Sequence, residues 1–175
     1  ATTQPVAPYR NSGEEATRAL MQDRNLEQPM HAIYKYAFIT DSEEGLILTD
    51  IDTLNNGEPR DNFFTRALTW NPGGVLAGAR HVTIGGNVAY VIANAGLVIV
   101  DLTDPLAPKT LATVPLVQGR ASALQFRYLF VTDSDGLKVV DVTQPAQARM
   151  VPAATLPLAS ARGVFAARTY IYVAD

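Results

Sequence analysis

The feature that most limits how this chain can fold is a six-residue phrase that it writes three times. Gly45-Leu46-Ile47-Leu48-Thr49-Asp50 returns as Gly96-Leu97-Val98-Ile99-Val100-Asp101 and again as Gly136-Leu137-Lys138-Val139-Val140-Asp141. In each copy glycine frees the backbone for a turn, an extended run follows, and aspartate closes it. The three glycines stand 51 and 40 residues apart. A period of that length, made of short strand-like runs, marks stacked supersecondary units that bury their faces only against one another.

Two further markers keep the same step. Phe38, Tyr90, Phe130 and Tyr172 each open an apolar run and are spaced by 52, 40 and 42 residues. Arg80, Arg120 and Arg162 each lie ten residues before one of the last three aromatics. Behind each arginine a further strand is predicted, at 81–84, 121–126 and 163–166. Beyond the later aspartates come proline-marked turns, Leu102-Thr103-Asp104-Pro105 and Val142-Thr143-Gln144-Pro145, and then short strands near Thr110–Val114 and Ala153–Leu156.

Four antiparallel strands in about 40 residues form the blade of an all-β β-propeller. A sandwich or closed barrel does not require so regular a repeat. The arginine-bearing strand is expected innermost, lining a central channel. The aromatic strand and the glycine-to-aspartate strand become the buried middle pair, whose nearly continuous apolar character suits sheets covered on both faces.

The expected organisation is an N-terminal arm and short helix over 1–28, then a partial propeller over 29–175. Its blades fall at about 29–79, 80–119 and 120–161, with an incomplete one at 162–175. In the arm, Ser12-Gly13-Glu14-Glu15 fits a capping box, and the helix that follows stops before Pro29. The first repeat departs from the others: its next arginine comes 30 residues after the aspartate, against 19 and 21 later. About ten residues are therefore inserted between Asn55 and Gly74. Asp175 stands where another glycine-leucine strand is due, and propellers usually have about 4–8 blades. The expectation is a fragment of a larger propeller, or else a protein partner that covers an open strand edge.

Composition narrows the function classes. A net charge of −3 argues against a nucleic-acid surface, which needs a basic footprint. No apolar run approaches the roughly 20 residues of a membrane span. The first residues lack the charged and apolar stretches of a signal peptide, as a mature exported chain also would. Cysteine is absent, which removes disulfides, thiolate zinc sites and covalent haem attachment.

Leu97-Val98-Ile99-Val100-Asp101 spells the motif of the LVIVD-repeat family. The tails Asp101-Leu102-Thr103-Asp104-Pro105 and Asp141-Val142-Thr143-Gln144-Pro145 follow it in register. From about Tyr34 to the end, the chain resembles that family. The resemblance implies a β-propeller of bacterial or archaeal exported or surface proteins. Some members are similar to domains that accompany multihaem cytochromes, so it also implies a cytochrome as one possible class of partner.

The candidate ligand site is the series Arg80, Arg120 and Arg162, whose guanidiniums suit a carboxylate or phosphate in the channel. The alternative is that each pairs with an acidic residue or carbonyl of the next blade and holds the propeller together. Phe63, Phe64 and Trp70, in the insertion, are of the type that anchors interfaces, or else they fill core space between blades. Asp133-Ser134-Asp135-Gly136 and Asp41-Ser42-Glu43-Glu44-Gly45 lack the ligand set of a calcium loop and read as tight turns. Asp50, Asp101 and Asp141 read as turn caps. His31 and His81 lie in separate repeats and make no metal site by themselves, and no nucleophile elbow, phosphate loop or zinc-protease motif occurs. The expected function is a non-catalytic protein-binding or scaffolding propeller of an exported or surface-associated assembly, with no catalytic residue, metal or cofactor. The rival is a metal-dependent hydrolase or lactonase with its site in the channel.

Overall fold

The computed structural model describes residues 32–55, 60 and 62–175. The arm and helix expected over 1–28, and His31, lie outside the described residues. The described chain forms two compact units, one of residues 32–37 and 48–68, the other of residues 38–47 and 69–175. In the first, 3-10 turns span Ala32–Lys35 and Asp52–Asn55. The Ile51 amide donates to the Lys35 carbonyl at 2.9 Å, and Lys35 pairs with Asp52 at 3.8 Å.

Strands β1 (Tyr36–Asp41), β2 (Gly45–Asp50) and β3 (Thr65–Trp70) form a sheet in that order. The next sheet contains β4 (His81–Gly85), β5 (Val88–Ala93), β6 (Gly96–Asp101) and β7 (Lys109–Val114), each antiparallel to the one before. A third begins with β8 (Ala121–Gln125), β9 (Tyr128–Asp133) and β10 (Gly136–Asp141). Two short strands, β11 (Arg149–Met150) and β12 (Leu156–Pro157), share the outer edge of β10. Last comes a hairpin of β13 (Gly163–Ala167) and β14 (Tyr170–Ala174).

The repeated phrases occupy equivalent places. Tyr90 faces Ile99 across one pair and Phe130 faces Val139 across its counterpart. Thr83, Ala123 and Phe165 face Tyr90, Phe130 and Tyr172 on the inner side. Each arginine amide opens an inner strand with one backbone bond, Arg80 to the Ile92 carbonyl, Arg120 to that of Thr132 and Arg162 to that of Ala174, at 3.0, 2.8 and 2.7 Å.

Two expectations need correction. The outer strand expected at Ala153–Leu156 is interrupted: Pro152 has no N–H to give the ladder, and Pro152–Ala154 turns as a 3-10 segment between β11 and β12. The insertion after Asp50 is only partly loop, because Thr65–Trp70 is the outer strand of the first sheet. Among the described residues the first sheet has three strands, with the turn at Ala32–Lys35 leading into β1.

One core cluster among the described residues lies between the second and third sheets. Val88, Tyr90, Ile92, Leu97, Ile99 and Val114 meet Leu129, Val131, Val140 and Val142. Removing each such aliphatic side chain from water is worth about 1.5–3 kcal/mol before ordering costs. Every residue of β5 is buried, the alternate ones facing opposite ways, so both faces of this strand are covered.

The glycine that opens each phrase is fixed by space as well as by conformation. Gly96 has φ +115° and Gly136 φ +129°; an added Cβ would lie 2.4 Å from the Val114 carbonyl oxygen and 2.2 Å from that of Leu156. Those oxygens belong to the outer strand and cannot retreat without breaking the sheet. Gly96→Ala or Gly136→Ala should therefore lower the unfolding free energy by at least about 2 kcal/mol in urea titrations, combining strain and clash.

Candidate ligand-binding cleft

Each inner strand is entered through a short repeated step. Gly78-Ala79-Arg80 and Gln118-Gly119-Arg120 both begin with a left-handed residue, at φ 72° for Gly78 and 54° for Gln118. A buried small residue follows, Ala79 or Gly119, and then the arginine. Gly78 suits its left-handed backbone, and an added Cβ would also displace the Asn94 side chain, whose Oδ1 would lie 2.2 Å away. The same Oδ1 accepts a hydrogen bond from Arg80 Nη2, while Arg80 Nε donates to the Gly78 carbonyl at 3.0 Å. Arg120 reaches the other way, its Nη1 donating to the Ala161 carbonyl at 2.6 Å.

Arg80, Ala93, Asn94, Gln118 and Arg120 together line a cleft of about 390 Å³. Two of the three expected arginines thus share one concavity, and Arg162 is not among its lining residues. Asn94 and Gln118 were not read from the sequence as site residues. Their signal was positional: Asn94 precedes the turn into the repeated phrase, and Gln118 stands two residues before an arginine. His81 is taken up elsewhere, with Nε2 3.0 Å from the Ser122 carbonyl and 3.3 Å from Thr83 Oγ1. Among the described residues no three histidine, aspartate or glutamate side chains gather as metal ligands would.

A second cleft, of about 320 Å³, is lined by Arg127, Asp141, Thr143, Gln144, Gln147 and Arg149. It is built on the aspartate-x-threonine tail of the repeat. Asp141 Oδ1 accepts from Thr143 Oγ1 at 2.6 Å and from the Thr143 amide at 3.0 Å. Asp101 does the same with Thr103, at 2.6 and 2.8 Å. The threonine hydroxyl bond is the main reason both carboxyls titrate below the ordinary range. The threonine amides add to it, as do Lys109 beside Asp101 and Arg149 and Arg127 near Asp141. Asp50 caps its own turn through the Asp52 amide at 2.8 Å, as do Asp41 with the amides of Glu43 and Glu44 and Asp133 with that of Asp135.

The aromatic candidates separate. Phe63 and Phe64 are exposed on the segment leading into β3, whereas Trp70 is half-buried at the end of that strand. A more exposed aromatic escaped notice in the sequence. Phe126 shows 90% of its surface to solvent, at the tip of the β8–β9 hairpin. In the sequence it reads as the last residue of a strand.

The lowered carboxyls carry a pH dependence. A group whose folded-state pKa lies below its unfolded value of about 3.9 stabilises fully above that value. The contribution disappears as pH falls through the lower folded value. Stability should therefore drop on acidification below about pH 4. Thr103→Val should move the Asp101 carboxyl back toward the ordinary value, which carboxyl-carbon NMR titration would show directly. An unmoved Asp101 titration would mean that the hydroxyl bond is not the cause.

No curated protein matches this chain. The LVIVD repeat family model matches residues 78–114 and 123–152. The first match spans β4 to β7 and the second runs from within β8 to β11, so the matched segments fall in the second and third sheets. These two segments match the LVIVD repeat, a repeat of the β-propeller type, within an all-β chain of several antiparallel sheets.

Proposed function

We propose that this protein is a non-catalytic, protein-binding or scaffolding β-propeller of an exported or surface-associated assembly. The observation that carries the reading is Phe126. Its φ is 54°, a left-handed conformation that costs a residue with a Cβ about 1–2 kcal/mol. The same hairpin position in the preceding sheet holds Gly86, at φ 61°. The ring is 90% exposed, so it returns almost no burial energy to the fold. Strained residues of this kind gather at binding sites, and a phenylalanine at a protruding tip becomes favourable when a partner buries it.

Two features support the same class of contact. Arg127 lies 5.0 Å over the Tyr128 ring, next to Phe126, which gives the tip a polar aromatic base. Phe63 and Phe64 offer a second exposed aromatic pair, at 69% and 67%. The LVIVD repeats support the exported or surface setting. A multihaem cytochrome is the first partner to test, from the resemblance to domains that accompany such proteins. Among the described residues no helix is long and apolar enough to cross a membrane.

Phe126→Asn separates binding from folding, because asparagine tolerates the left-handed backbone. The variant should gain up to about 1 kcal/mol in urea unfolding. It should also lose a cell-surface or secreted partner, identified by mass spectrometry with the wild-type chain, by tenfold or more in affinity. Unchanged affinity would overturn the role of Phe126. Turnover of ester or lactone substrates, with stoichiometric calcium or zinc bound, would overturn the non-catalytic reading itself.

A further inference from the structure

We propose that the cleft between Arg80 and Arg120 is a binding site for a small oxyanion, a carboxylate or phosphate group. It is a site of its own, built from different residues than the hairpin tip at Phe126. Both guanidiniums are held by neutral acceptors. Arg80 gives Nε to the Gly78 carbonyl and Nη2 to Asn94 Oδ1, and Arg120 gives Nη1 to the Ala161 carbonyl. An arginine has five N–H donors, so each retains donors beyond these bonds. Among the described residues no carboxylate lies within ion-pair distance of either arginine. The second cleft makes the contrast, because there Asp141 stands among the lining residues with Arg127 and Arg149.

The other two polar lining residues are primary amides. Asn94 Oδ1 is occupied by Arg80, which leaves its Nδ2 as a donor. The Gln118 side chain makes no hydrogen bond among the described residues. It is carried by a left-handed backbone at φ 54°, at the position where the preceding repeat uses Gly78. A glycine would relieve that strain, yet a side chain with two N–H donors is placed at the cleft instead. Two cations and two amides around about 390 Å³ form a donor-rich site of the size that takes a small ligand. The arginines are positioned before any ligand arrives, their backbone by the Ile92 and Thr132 carbonyls and their guanidiniums by Gly78, Asn94 and Ala161.

Calorimetric titration of the intact chain with inorganic phosphate and, separately, with citrate tests the site. At least one should bind with single-site saturation, weakened by added sodium chloride. Saturation by phosphate alone identifies a phosphate site and by citrate alone a carboxylate site, while both together identify a general oxyanion site. Arg80→Gln and Arg120→Gln should each weaken binding at least tenfold, and Arg162→Gln should leave it within twofold. Arg120→Gln also removes the bond to Ala161 and can lower stability, so Gln118→Gly is the decisive companion. That variant should raise the unfolding midpoint by relieving strain while weakening the anion several-fold. No saturable heat with either anion would overturn the proposal. So would equal loss in Arg162→Gln, or unchanged binding in Arg80→Gln and Gln118→Gly.

Discussion

The whole arrangement rests on strands that are apolar on both faces. β5 is buried along its full length, and in β6 only the closing Asp101 is partly exposed. Such a pair cannot lie at a water boundary, so the sheet that holds it needs a neighbour on either side. The repeat answers that need by supplying similar sheets in succession. Apolar burial explains why they stack, but burial is non-directional and leaves their mutual alignment open.

Alignment comes from polar groups on and beside the inner strands. Thr83 Oγ1 lies 2.8 Å from Ser122 Oγ and donates to the Ser122 carbonyl at 3.1 Å, beside His81. One sheet further on, Thr132 Oγ1 donates to the Arg162 carbonyl at 3.2 Å, and Gln125 donates to that of Arg168. Each such bond contributes about 0.5–1.5 kcal/mol net. They are sequence-specific, and together they fix how one inner strand meets the next. The arginines sit within this layer and are treated unequally. Arg80 is held by Gly78 and Asn94 and Arg120 by the Ala161 carbonyl, and these two line a common cleft of which Arg162 is not a lining residue.

Much of this was legible in the residues. The fixed distance from glycine to aspartate gives the middle strand, and the aromatic and arginine markers give the register, because pairing in a meander follows from spacing. The turn aspartates were readable too, since aspartate near glycine or proline suits the local hydrogen bonds of tight turns. The features that escaped depend on torsion rather than on hydrophobic pattern. Phe126 continues the apolar run after Ala121 and looks like strand; only its positive φ shows that it is a hairpin tip. Gln118 and Asn94 acquire a role through the turn that carries them, and composition does not report where a turn points. Pro152 was visible, but the weight of the repeat favoured an unbroken outer strand at a place where the missing amide prevents one.

That interruption bears on how a chain of near-identical strands keeps from mispairing. An outer strand offers a row of free amides and carbonyls, the kind of template on which a second molecule can add a strand. Repeats raise the hazard, since any copy of the phrase is a passable match for the partner of any other. β7 meets this with six continuous residues that begin at Lys109, a charge that discourages an incoming strand. The outer edge of the third sheet is cut into two pieces of two residues around Pro152, too short to seed a ladder. The broken strand thus offers an incoming strand no continuous row of backbone groups on which to pair.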